Sequence, residues 1–298
     1  MHEVRKVQLH YERTGPPDRP VVVLIHGLGG QLTDWPEPAI TRFVEAGYQV
    51  LTYDQRDSGL STRLTHVGIP DLLSIYMGRR ELAPYTLADM ADDLLELLDR
   101  LGIDQVHLVG VSMGAMVAQQ FLIEEPKRVL SLISMLGSTG RTGVGQPSEM
   151  ALGALMNPNR EEPLELVVGR PRSARERQAI LDRIDRGAAR LAAAGIDDPV
   201  ASVRQLSAVL ASPDRSTALS TLAALPSLVV HGVLDPLVNV SGGIDTFRVL
   251  AGSRLLLFAD LGHDLPAWCW DRLATEMLDT ITEAGGVGCG ATTGYSGR

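Results

Sequence analysis

Short runs of apolar residues alternate with stretches of helical periodicity along most of this chain. "RPVVVLIHG" (Arg19–Gly27), "YQVLTYD" (Tyr48–Asp54), "VHLVG" (Val106–Gly110), "VLSLISML" (Val129–Leu136), "SLVVHG" (Ser227–Gly232) and "RLLLF" (Arg254–Phe258) predict strands. They are apolar almost throughout, as strands covered on both faces are, so a mostly parallel sheet between helical layers follows. "VRKVQLHYER" alternates instead and predicts an antiparallel edge element. Thr86 and Asp89 have capping-box spacing, and Leu87, Met90, Leu94, Leu97, Leu98 and Leu101 form one stripe. Gly102 ends that helix, and Pro126 stops the one following Ser112. A last helix spans Ala267 to Ala284 behind Pro266.

Between Ser138 and Ser216 the strand signals vanish. "SEMALGALM", "RSARERQAILDRIDRGAARLAAAG" and "DPVASVRQLSAVLA" read as helices. The pattern therefore predicts an α/β core, 1–137 and 217–284, interrupted by a helical insertion at 138–216. The Gly-rich end, 285–298, has little to bury and is expected to be disordered. Arg170 to Arg190 carries seven arginines against three acids, an excess of four positive charges. Ile180, Leu181, Ile184, Ala188 and Leu191 mark its expected buried stripe, which leaves the arginines on a solvated face, with attraction of anionic substrates toward the site as the alternative.

Composition narrows the function classes. The 298 residues are 45% apolar and 21% charged, ordinary for a globular protein, with a formal charge of −9. That charge argues against nucleic acid or an anionic membrane as partner. No window approaches the ~18 uninterrupted apolar residues of a membrane span, and "MHEVRKVQLHYERTG" has no apolar core of a signal peptide. Cys269 and Cys289 form neither a metal spacing nor a disulfide framework. A cytoplasmic protein acting on a small molecule is the expectation.

Chemistry concentrates where "VHLVG" runs into "VSMGAMVAQQFL". Ser112 sits in a Gly-x-Ser-x-Gly spacing between strand and helix. A strand turning sharply into a helix strains its middle residue and needs small neighbours, and it presents the hydroxyl at the C-terminal edge of the sheet. A plain helix N-cap is the bland alternative. A serine nucleophile needs a base. Among seven histidines, His263 in "FADLGHDLP" lies late in the chain, in a loop between strand and helix. The acid that orients it should follow a strand before it. "GSTGRTG" offers none, whereas "VLDPLV" offers Asp235; Asp260 and Asp264 are close enough to His263 to shape its loop instead. Donors for a tetrahedral oxyanion are expected from the backbone N–H of Met113 and, in "HGLGG", of Leu28.

"LIHGLGG", "YDQRDSGLS", "GVSMG", "HGVLDPL" and "GHDLP" together resemble, in order and spacing, the α/β-hydrolase-fold serine hydrolases. "RDSG-S" and "GVSMGAMVAQ" further resemble the aclacinomycin methylesterase-like branch, as does Asp57, where many superfamily members carry Gly. The resemblance implies a Ser112–Asp235–His263 triad, Leu28 and Met113 as oxyanion donors, a cap formed by 138–216, and no cofactor or metal. It implies hydrolysis of a carboxylic ester, in the narrower case a methyl ester of a medium-sized apolar or polyketide-like acid. The same triad also serves lactones, amides, carbon–carbon bonds and acyl or peroxide acceptors, and a hydrolase-fold receptor would bind without turnover. The insertion contains no Phe, Tyr or Trp, so aromatic pocket walls would come from Trp35 or Trp268, with core packing as the competing role.

Overall fold

Residues 7–156 and 165–285 are described in the computed structural model of the chain. They contain β1 (Tyr11–Thr14), β2 (Val21–Ile25), β3 (Gln49–Tyr53), β4 (Val106–Val111), β5 (Val129–Met135), β6 (Ser227–Gly232) and β7 (Ser253–Phe258). These form one sheet of order β1-β3-β2-β4-β5-β6-β7, parallel except for the edge pair β1–β3. Each apolar run thus becomes a strand, and the alternating N-terminal run contributes the antiparallel edge. The disorder expected of the tail concerns residues 286–298, outside the described residues.

The unbroken apolar character of the strands has a direct cause. Along β2, Val21, Val23 and Ile25 join one core with Leu94, Val117 and Phe121, while Val22 and Leu24 join another with Phe43, Leu273 and Met277. Both faces are dry, and each buried Val or Leu contributes about 1.5–3 kcal/mol. Helices Leu87–Leu101 and Met113–Glu124 cover the first face; Glu37–Glu45 and Trp270–Glu283 cover the second. The Leu87–Leu101 helix starts as expected, with the Thr86 N–H donating to Asp89 Oδ2 at 2.7 Å, and ends at Gly102 in the left-handed region. From β2 the chain steps one way to β3 and the other way to β4. This reversal opens a crevice at the C-terminal ends of β2 and β4, the place where open α/β sheets bind ligands.

Besides short helices such as Leu72–Tyr76, the helices Glu37–Glu45 and Ser241–Val249 escape the pattern reading. The last of these opens on Gly242 and Gly243, poor helix formers. Both are needed for close approach, since a Cβ on Gly243 would lie 2.6 Å from His231 Nδ1 and one on Gly242 3.0 Å from the Gly137 carbonyl.

Between β5 and β6 the described residues hold only helices: Glu149–Met156, Glu165–Val168, Ala174–Ala193, Ala201–Ala211 and Ser216–Ser220. The inward face of Ala174–Ala193 differs from expectation. Ile180 and Gly187 are buried, but Ile184 and Ala188 are exposed. Arg190 turns inward instead, donating at 2.8 Å to Asp54 Oδ2 and to Gln31 Oε1. Arg183 reaches Asp264 at 2.7 Å, and Arg172 pairs with Asp260 while stacking 3.4 Å from the Trp268 ring centre. The solvated-face reading holds for Arg175, Arg186 and the surface-paired Arg172 and fails for Arg183 and Arg190. The reason is the surface beneath them: it presents carboxylates, and the Asp54 side chain is fully buried, so a cation is favoured there over an aliphatic chain.

Arg204, on the Ala201–Ala211 helix, is 1% exposed and donates to Asp57 Oδ1 at 2.7 Å and to Asp198. Asp57 also accepts from the Leu64 N–H and the Tyr85 hydroxyl, each at 2.8 Å, and adopts φ +60°, where glycine is more usual. Among the described residues no helix is long and apolar enough to cross a membrane.

Removing one partner of such a dry pair strands the other. Arg204→Met is expected to lose about 3–5 kcal/mol of stability in denaturant unfolding, with part recovered when Asp57→Asn is added. A loss below about 1 kcal/mol would show that the pair does not anchor these helices.

Candidate active site

Ser112 follows β4 directly, and its backbone has φ 56° and ψ −121°. A non-glycine residue in this region costs on the order of 1–3 kcal/mol and persists only when its surroundings impose it. Here they do. A Cβ on Gly114 would lie 2.1 Å from the Ile25 carbonyl oxygen, and one on Gly110 2.4 Å from the Gly114 carbonyl oxygen. The two glycines let β2, β4 and the helix Met113–Glu124 touch backbone to backbone. The Ser112 N–H, held at 2.8 Å by the Met135 carbonyl of β5, locks the turn. The side chain stands partly exposed at the crevice.

Two loops bring the other polar groups to it. His263, in the loop after β7, places Nε2 2.8 Å from Ser112 Oγ and Nδ1 2.7 Å from Asp235 Oδ2. With the ring proton on Nδ1, His263 donates to the carboxylate and its Nε2 accepts from the serine hydroxyl. Asp235 follows β6, and its Oδ1 accepts from the N–H groups of Leu237 (2.9 Å) and Val238 (2.8 Å). Burial pushes the Asp235 carboxyl up. The nearby charge of His263 and hydrogen bonds from His231 and His263 outweigh this and hold it at about 2. It is therefore a carboxylate at neutral pH. Asp260 and Asp264 bind arginines rather than the imidazole.

The loop after β2 passes close by, since a Cβ on Gly27 would lie 3.1 Å from Ser112 Cβ. The Leu28 N–H has no hydrogen-bond acceptor among the described residues. Met113 opens its helix, so its N–H lacks an intrahelical acceptor. Both N–H groups are therefore free to donate, and the positive end of the helix dipole lies at Met113, an arrangement that can receive developing negative charge. The two tryptophans stand apart from this chain of contacts. Trp35 is 7% exposed and packs within the core, edge-on to Trp270 at 6.3 Å. Trp268 lies beneath the Arg172 guanidinium, which is 3.4 Å from its ring centre, and meets Phe258 edge-on at 5.7 Å.

A family profile described as the alpha/beta hydrolase fold matches residues 20–268. The chain belongs to this family. Rhodomycin D methylesterase DnrP of Streptomyces peucetius is 26% identical over 298 residues, 91% of this hydrolase and 94% of the relative. RutD of Variovorax paradoxus, to which carbamate hydrolysis is ascribed, is 38% identical, but over 125 residues, 42% of this chain; the match spans about two fifths (41%) of the relative's length. Among solved structures, an esterase from Thermogutta terrifontis aligns with a TM-score of 0.68 at 21% identity, over 93% of this chain and 94% of that one. This last likeness concerns the fold.

Two groups at the site of this hydrolase carry no motif of their own. His231, fully buried on β6, places Nε2 3.5 Å from Asp235 Oδ2 and 2.8 Å from the Val238 carbonyl. Its four-residue spacing from Asp235 in "HGVLD" was the available signal. The Val168 carbonyl accepts the His263 N–H at 2.8 Å, and a Cβ on Gly262 would lie 2.3 Å from that same oxygen. The helical segment thus grips the imidazole loop through backbone, which leaves no side-chain signature.

The depressed carboxyl links stability to pH. Because the folded value (about 2) lies below the ordinary aspartate value of ~3.9, the contribution of Asp235 is complete above the latter and is lost as pH falls through about 2. The stability gap between the wild type and Asp235→Asn should therefore narrow between pH 5 and pH 2, by on the order of 2 kcal/mol. A gap constant over that range would contradict a carboxylate held by these contacts.

Proposed function

We propose that this hydrolase cleaves a carboxylic ester through an acyl-serine intermediate. His263 takes the Ser112 proton as Oγ attacks the carbonyl, and the Leu28 and Met113 N–H groups receive the oxyanion. The C–O bond to the alcohol then breaks, with the alkoxide taking the proton from His263. Water, deprotonated in turn by His263, releases the acid and restores Ser112. Asp235 keeps the imidazole in the Nδ1–H tautomer and stabilises the imidazolium formed twice in the cycle.

One observation carries this reading. A hydroxyl, an imidazole and a carboxylate meet through contacts of 2.8 and 2.7 Å, at a serine whose backbone is strained into place. A helix N-cap needs neither the strain nor the imidazole. The similarity to DnrP over 91% of the chain favours a methyl ester of a medium-sized, apolar, ring-bearing acid. A carbamate is the second substrate class, because attack and collapse need the same groups and RutD is the relative with 38% identity over its shorter match. Residues 138–216 act as a cap over the crevice in this reading, and the enzyme works in the cytoplasm without a cofactor.

Ser112→Ala should lower kcat/KM toward a reactive ester by at least about 10⁴-fold, leave the fold intact and abolish labelling by a fluorophosphonate probe. A panel of methyl esters, carbamates and lactones assayed alongside should show its highest kcat/KM for a methyl ester. Undiminished hydrolysis by Ser112→Ala would overturn the proposal, and a carbamate in first place would select the second class.

A further inference from the structure

The loop His26–Gly30 must do something demanding if Leu28 is an oxyanion donor. Its peptide plane has to be held still with one N–H left free. A free backbone loop would turn that N–H toward water or toward its own carbonyls, and a donor contributes only when it is already aimed. The loop's internal contacts supply half of the restraint. The Gly27 carbonyl, which shares its peptide unit with the Leu28 N–H, accepts from the Gly30 N–H at 3.2 Å and lies 3.0 Å from His26 Nδ1. Burial lowers the His26 pKa, so the ring is neutral and can donate from that nitrogen.

The other half comes from outside the core. Gln205, on the Ala201–Ala211 helix, is fully buried. Its Oε1 accepts from the Gly29 N–H at 2.8 Å, and its Nε2 donates to the Arg56 carbonyl at 2.8 Å. One amide therefore bridges the loop after β2 and the loop after β3. The peptide unit it holds, Leu28–Gly29, is the one immediately following the donor's own unit. Gly29 sits at φ +69°, so the chain reverses at that point and would have ample freedom without a partner. Leu28 itself packs with Leu72, Val203 and Leu206, which seats the same loop against the same helix.

We propose that Gln205 is a positioning residue for the oxyanion donor: it fixes the Leu28–Gly29 peptide so that the Leu28 N–H points at the reacting carbonyl oxygen. This rests on the ester-hydrolase reading above. In consequence the helical segment between β5 and β6 is part of the machinery that recognises the transition state, and not only a wall around substrate.

The test is Gln205→Met, which keeps volume and removes both hydrogen bonds. kcat is expected to fall about 10- to 100-fold, short of the full loss of a donor, with KM within about threefold. Affinity for a tetrahedral boronic acid should fall in parallel with kcat/KM, while affinity for the planar product acid should change by less than about threefold. Gln205→Asn, one methylene too short to bridge, should behave alike. In the wild type, the Gly29 amide should exchange slowly with solvent deuterium, a measurement that needs no variant to fold. Unchanged kcat in a folded variant, equal loss of both affinities, or rapid Gly29 exchange would each overturn the assignment. If the wild type hydrolyses esters and takes the fluorophosphonate on Ser112 while these readouts fail, only this inference falls. If the wild type takes no label, the ester-hydrolase reading falls first.

Discussion

Three backbone segments come closer at one corner of this sheet than side chains would allow. At Gly110 and Gly114, the end of β4, the end of β2 and the start of the following helix leave no room for a Cβ. That contact forces Ser112 into a conformation serine does not choose, and the core on both sides of β2 and β4 holds it there. The position of the hydroxyl, the free N–H of Met113 and the proximity of the Gly27–Leu28 loop all follow from it. The strain of on the order of 1–3 kcal/mol is small beside the apolar burial that maintains the corner.

Around this rigid corner the helical segment is joined both by apolar packing, as of Val203 and Leu206 on Leu28 and Leu72, and by directional polar and backbone contacts. Arg190 meets Asp54, Arg204 meets Asp57, Gln205 meets Gly29 and Arg56, and the Val168 carbonyl meets His263. Such contacts are directional and costly to leave unpaired, so they define one register of the segment on the core, where an apolar face would tolerate sliding. Two of them end on the loops that carry Leu28 and His263. These contacts couple the helices to both loops: a change in how the helices sit would be felt at the imidazole and at the Leu28 loop together.

How far the sequence reveals this depends on what kind of contact made each element. Strands sealed on both faces announce themselves: β2 to β6 lie where the apolar runs predict them, and so does the half-buried edge strand β7. Ser112, His263 and Asp235 were legible because a strained turn, a late loop histidine and a post-strand acid each impose local spacing. The helix Ser241–Val249 was hidden because its glycines serve close packing against His231 and not helix propensity. The inward face of Ala174–Ala193 departs from its hydrophobic stripe because periodicity assumes an apolar partner, and here the partners of Arg183 and Arg190 are carboxylates. Gln205 has no signature at all, since its meaning lies in backbone atoms 176 positions away.

The proposed acyl-serine is a covalent species, and mass measures it most directly. Wild-type enzyme mixed with a slowly turned-over ester, quenched in acid within the first turnover and weighed intact, should gain the mass of the acyl group less one hydrogen. Digestion should place that gain on the peptide containing Ser112, and Ser112→Ala should show none. An acyl group carried by another residue, or product released during the first turnover with no mass gained by the protein, would contradict it.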